Sequence, residues 1–83
     1  MKRYYPASII PAEEGGYLLQ FRDLEEAFTQ ADSIDELMLM AEDVLEAVLE
    51  SRLELNLSLP APSEPNEGDV VVAARFSILA LVA

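Results

Sequence analysis

The segment from Ser33 to Pro65 constrains this chain more than any other. Ser33 and Glu36 have the spacing of a capping box, in which a serine hydroxyl accepts from the backbone three residues on and a glutamate reaches back. A helix is therefore expected to begin there. At about 100° per residue, Ile34, Leu37, Met38, Ala41, Val44, Leu45 and Val48 fall within roughly 60° of one line. Asp35, Glu36, Asp43, Glu46, Glu50 and Glu54 fall opposite, with Leu39 as an apolar exception among them. Asn56 can adopt the left-handed conformation that ends a helix, and Pro60, Pro62 and Pro65 forbid its continuation. One amphipathic helix over 34–54 must lay its apolar stripe on something, and the rest of the chain has to supply it.

The remaining segments read as strands. Tyr4 to Ile10 is apolar on both parities, and Pro6 removes one ladder donor, which suggests a strand at or near a sheet edge. Glu13-Glu14-Gly15-Gly16 is a turn whose glycines supply positive φ, and Tyr17, Leu19 and Phe21 alternate beyond it, giving a β-hairpin. After a polar connection, Asp23-Leu24-Glu25-Glu26, the run Ala27 to Ala31 is a short third strand that stops at Asp32-Ser33. Beyond the helix, Leu57 to Asn66 should be extended and polyproline-like. Gly68-Asp69 then turns into a fourth strand over 70–78. The first half of that strand is apolar on both sides, so one face is expected under the helix and the other under a different cover, such as a second copy of the chain. The fold class is α+β, in the order βββαβ, with one long helix packed on the sheet.

Composition removes several classes of function. The 83 residues include no cysteine and no histidine, so there is no disulfide, no Cys/His zinc site and no imidazole base. Sixteen Asp and Glu against five Lys and Arg give a net charge of −11, which repels nucleic acid and favours a basic protein partner. The N-terminus runs from Lys2-Arg3 into tyrosines and a proline instead of an apolar core, unlike a signal peptide, and Ile78 to Ala83 is far shorter than the roughly 20 residues of a membrane span. The chain reads as cytoplasmic. At this size folding buries only about 60% of the unfolded chain's surface, so a homodimer or higher homo-oligomer is expected, and the apolar end 78–83 is expected to pack in the core or in its interface.

Any catalysis would have to rest on carboxylates and metal ions. Asp23, Asp32, Glu36 and Glu42 can be nominated for a two-metal nuclease, but Asp32 and Glu36 suit the positive end of a helix dipole, and no acid lies within a predicted strand. No catalytic set, metal or cofactor is therefore assigned. The proline run reads as a stiff connector in preference to a ligand for a proline-recognising module. Tyr4, Tyr5 and Tyr17 read as core or interface residues in preference to a stacking platform for bases.

Five pieces in register, Tyr5-Pro6-Ala7, Glu14 through Leu24, Phe28 through Ser33, Ala41-Glu42-Asp43-Val44-Leu45 and Leu59 through Ser63, resemble the HicB antitoxin family over nearly the whole chain. The resemblance implies a partial ribonuclease H-like fold without catalytic acids. It also implies a partner, a small basic HicA-type ribonuclease that cuts messenger RNA and whose active site is covered. The chain departs from the family at Ala31, where glycine is usual, and at Arg22 and Glu25, which replace prolines. Many members continue into a DNA-binding domain. The expectation here is a single domain, 1–83, without that part and without direct binding to nucleic acid. The acids expected to meet the toxin are Asp23, Glu25 and Glu26 in the connection and Asp43, Glu46 and Glu50 on the helix.

Overall fold

A computed structural model describes residues 3–74. Four strands, β1 (Tyr4–Pro11), β2 (Tyr17–Phe21), β3 (Phe28–Ala31) and β4 (Val70–Ala73), and one helix, α1 (Ile34–Glu54), follow in the order βββαβ. The sheet is antiparallel throughout, in the order β3-β2-β1-β4. The expected fourth strand is described as far as Ala73; its expected continuation to Ile78, and the expected packing of 78–83, lie outside the described residues.

The hairpin forms as its glycines dictate. Ala12 N–H donates to Gly16 O at 3.0 Å, and both Gly15 and Gly16 have positive φ, 100° and 78°. Gly16 has a second reason to be glycine, since a Cβ there would stand 2.8 Å from the carbonyl oxygen of Ala31. β1 lies near the edge, as Pro6 suggests, but one position in, between β2 and β4. The missing Pro6 donor falls just past the last β1–β2 pair, Ala7 with Phe21, where Pro6 O still accepts from Arg22 N–H at 3.1 Å. A proline costs no ladder bond at the point where the partner strand has ended.

The helix begins at its cap, with Ser33 Oγ accepting from Glu36 N–H at 3.2 Å. It ends in a Schellman motif: Asn56 has φ 59°, Asn56 N–H donates to Leu53 O at 3.1 Å and Leu57 N–H to Arg52 O at 2.8 Å. Leu37, Ala41, Leu45, Val48 and Leu49 are buried, with α1 lying mainly over β3 and less over β2 and β4. Two positions differ from the wheel. Ile34 is 40% exposed, because it stands in the first turn immediately past the end of β3, and Leu49 is fully buried towards the other end. Leu39 is 67% exposed among the acids, as its angle requires.

Under the helix lie Tyr5, Ala7, Leu19, Phe21, Ala31 and Val72, one parity of each strand. Two further buried residues, Leu24 and Ala27, come from the β2–β3 connection, so that segment is a folded lid on the end of the core and not the polar link its acids suggest. The other parity leaves Tyr4, Ile10, Leu18, Phe28 and Val71 exposed, while on the same face Pro6 is fully buried and Ser8 and Gln20 are engaged by Asp69 and the β2–β3 loop.

Candidate functional site

The β2–β3 connection is shaped from inside. Phe21 N–H donates to Ala27 O and Ala27 N–H to Leu24 O, each at 3.0 Å, which folds the segment back on itself. The Gln20 amide nitrogen lies 2.9–3.3 Å from the carbonyl oxygens of Phe21, Leu24, Glu25 and Ala27, gathering the loop around one side chain. Buried Leu24 and Ala27 anchor the same turn, so the carboxylates between and beside them are directed outward.

Two of those carboxylates fasten the loop to distant parts of the chain. Asp23 accepts from Ser63 N–H at 2.8 Å and from the Ser63 hydroxyl, pinning the proline connector. Glu26 takes the Arg52 guanidinium in a two-point contact, Nε to Oε2 at 2.8 Å and Nη2 to Oε1 at 2.9 Å, and so ties the loop to the last turn of α1. The Arg52 hydrogen bonds, aided by a backbone bond at Glu26, hold the Glu26 carboxyl below its ordinary pKa, and the same contact raises that of Arg52. Glu25 points away, beside a shallow depression of about 300 Å³ that it shares with Ser8, Gln20, Phe21 and Arg22.

The connector from α1 to β4 is held at three points. Tyr5, buried to its ring, reaches out with its hydroxyl to Pro60 O at 2.8 Å, where Arg3 Nη1 also donates at 3.4 Å. Asp23 holds Ser63. Asp69 closes the turn, accepting from Asn66 N–H at 2.8 Å while its own N–H donates to Asn66 O at 3.0 Å. Asp69 also pairs with Arg22 and accepts from Ser8 Oγ at 3.3 Å. The Asn66 bond first, then the Arg22 and Ser8 contacts, hold the Asp69 carboxyl below its ordinary value. With its amide oxygen turned to Arg22, Asn66 accepts from both terminal guanidinium nitrogens at 3.0 and 3.1 Å.

The six acids that the sequence points to thus separate by role. Asp23 and Glu26 build the loop, whereas Glu25 at its tip and Glu50 on the helix are exposed. Asp43, Glu46 and Glu50 follow at helical spacings of three and four, which places them along one side of α1, and Asp43 and Glu46 make interactions of their own. Of the acids nominated for metal, Asp23 is spent on Ser63, Asp32 and Glu36 flank the helix cap, and Glu42 lies in the middle of the helix. Among the described residues no three acidic side chains gather where they could hold a metal ion. Sequence reasoning misses the network of Gln20, Arg22, Asn66 and Asp69; the spacing of Asn66, Gly68 and Asp69, typical of a side-chain-closed turn, is its one local signal.

Among the described residues no helix is long and apolar enough to cross a membrane. A family model described as the HicB-like antitoxin of bacterial toxin–antitoxin systems matches residues 4–81. Antitoxin HicB of Escherichia coli is 36% identical over 78 residues, which cover 94% of this chain and 56% of that protein. Antitoxin HicB 1 of Photorhabdus laumondii is 37% identical over 79 residues, 93% of this chain and 51% of that protein. The chain spans about half the length of the curated relatives it matches.

Proposed function

The chain belongs to the HicB-like antitoxin family, and from that premise we propose that residues 1–83 form a toxin-binding domain that neutralises a small basic ribonuclease of the HicA type by occupying its RNA site. The observation that carries this reading is the match over residues 4–81 to proteins named antitoxins. The distribution of charge supports it. All sixteen acids of the sequence fall in turns, loops or the helix, and α1 with the β2–β3 loop presents most of them. An RNA-cutting protein must attract phosphate with a cationic surface, and an acidic domain competes for the same field.

Within that reading the acids divide the work. Glu25, Asp43, Glu46 and Glu50 meet the cationic partner, and Asp23 and Glu26 keep the loop in the shape that presents Glu25. Electrostatic pairing of this kind acts chiefly on the rate of encounter. Association should therefore slow as salt rises, because the Debye length shrinks from about 10 Å at 0.1 M to about 3 Å at 1 M.

Co-producing the chain with the product of its neighbouring gene tests the proposal. The expected result is relief of growth arrest and co-purification of the two proteins. A neighbour that arrests growth equally with and without the chain, and does not bind it, overturns the proposal.

A further inference from the structure

One row of side chains crosses the open face of the sheet at its polar end. Ser8 pairs with Gln20 and Gln20 with Phe28, so the three stand side by side on β1, β2 and β3, and Ser8 Oγ reaches Asp69 at the end of the row. Directly opposite residues of antiparallel strands hold their Cβ atoms about 4.5–5.5 Å apart. Ser8, Gln20, Phe21, Arg22 and Glu25 line the depression of about 300 Å³, and Phe28, 62% exposed, stands beside Gln20 at its margin. The donors around this depression are already engaged. The Gln20 amide nitrogen faces four carbonyls of the loop, the Ser8 hydroxyl donates to Asp69, and the Arg22 guanidinium is held by Asp69 and by the Asn66 amide oxygen. Acceptors remain: the Gln20 amide oxygen, the lone pairs of Ser8 and the Glu25 carboxylate. Arg22 and Asp69 neutralise each other, whereas Glu25 makes no ion pair among the described residues, which leaves the depression one unmatched negative charge.

We propose that this depression receives a single arginine side chain of the partner protein, with the guanidinium on Glu25 and its plane against the Phe28 ring. The identity of the partner rests on the antitoxin reading; the chemistry of the site does not. A guanidinium carries five donors and no acceptor, so it complements a surface that has acceptors left and no donors. It is planar and stacks on an aromatic face, which a lysine ammonium, a compact point charge, does not. Once the partner covers it, the contact with Glu25 is a hydrogen-bonded ion pair shut off from water, and such a pair acts on dissociation. Glu50, exposed on α1, acts on the rate of encounter.

The test has two arms. In the first, the 83-residue chain is titrated by nuclear magnetic resonance with the amides of N-acetyl-arginine, N-acetyl-lysine and N-acetyl-citrulline, the last an uncharged isostere. The arginine amide should shift the resonances of Ser8, Gln20, Glu25 and Phe28 with millimolar affinity, the lysine amide should bind several-fold more weakly, and the citrulline amide should leave them in place. Glu25→Gln should abolish the arginine shifts. In the second, dissociation from the product of the neighbouring gene is timed: Glu25→Gln and Phe28→Leu should each speed it about tenfold, whereas Glu50→Gln should slow association and leave dissociation unaltered. Absence of shifts at the depression, or equal shifts with arginine and with either lysine or citrulline, overturns the proposal. A complex that forms with the natural chain and dissociates no faster from either variant also overturns it, and leaves the antitoxin reading standing. A neighbour that does not bind overturns the antitoxin reading instead, and the arginine titration still decides the site.

Discussion

The two faces of the sheet are made by the same strands and differ in what covers them. On one, Tyr5, Leu19, Phe21 and Val72 are buried beneath Leu37, Ala41, Leu45 and Leu49; on the other, Tyr4, Leu18, Phe28 and Val71 meet solvent. Neighbours in sequence such as Leu18 and Leu19, or Val71 and Val72, take opposite fates. A polar face would have been the ordinary partner of the buried one in an antiparallel sheet. Here Ser8, Gln20 and Gln30 share the second face with exposed apolar side chains, and one helix can cover only one face. The chain's acids are all kept out of the strands, and those that reach the open face, Asp69 at Ser8 and Glu25 beside Ser8 and Gln20, come from the turns at its end.

Substitutions can break or sharpen this contrast. The largest effect belongs to Leu45→Ala, which empties a fully buried site between helix and sheet and should cost about 2–5 kcal/mol in denaturant unfolding. Phe28→Ala, on the exposed face, should stay within about 0.5 kcal/mol. Equal costs would mean that the open face is packed in the monomer, contrary to its exposure. Gly16→Ala comes next. The left-handed backbone and the 2.8 Å approach to Ala31 O should together cost about 1–3 kcal/mol, since the obstructing atom belongs to the backbone.

Tyr5→Phe keeps the ring on the covered face and deletes the hydroxyl that holds Pro60 O, so thermal unfolding should show a loss of about 1 kcal/mol. The smallest expected effect is read as a difference with pH. The Asp69 carboxyl is lowered in the folded state, so its contribution is fully present above its ordinary pKa of 3.8 and is lost as pH falls through the lower folded value. The stability gap between the natural chain and Asp69→Asn should therefore be open at pH 6 and close below about pH 3.8. A gap that widens on acidification would show that Asp69 is not held in its charged form by Asn66, Arg22 and Ser8.

Features written locally are legible in the sequence alone. The serine cap, Asn56 with its left-handed φ, and Gly15-Gly16 each satisfy a rule that spans four residues or fewer, and each forms as expected. Features that depend on distant partners are not legible in this way. Leu24 looks like part of a polar loop because its burial depends on Gln20 gathering four carbonyls and on Arg52 holding Glu26 from 26 residues away. Asp23 resembles a free surface acid because its partner, Ser63, lies 40 residues further on. A helical wheel puts Ile34 in the apolar stripe of α1 and leaves Leu49 out, since it treats all turns alike, whereas the sheet supports the later turns and not the first. Pro6 marks a strand at or near an edge, but sequence does not show which of the two, because that depends on its missing donor falling where β2 ends. At the candidate surface the charge is legible and the division of labour is not. Which carboxylates are consumed in shaping the loop is a property of the folded chain.

The central claim, that this domain neutralises a basic ribonuclease, is tested most directly with purified components: messenger RNA, the ribonuclease encoded by the neighbouring gene, and the chain titrated against it. The account predicts that cleavage stops near one equivalent of the chain and returns when Glu25→Lys and Glu50→Lys are combined. Cleavage that continues undiminished at a large excess of the natural chain would contradict it.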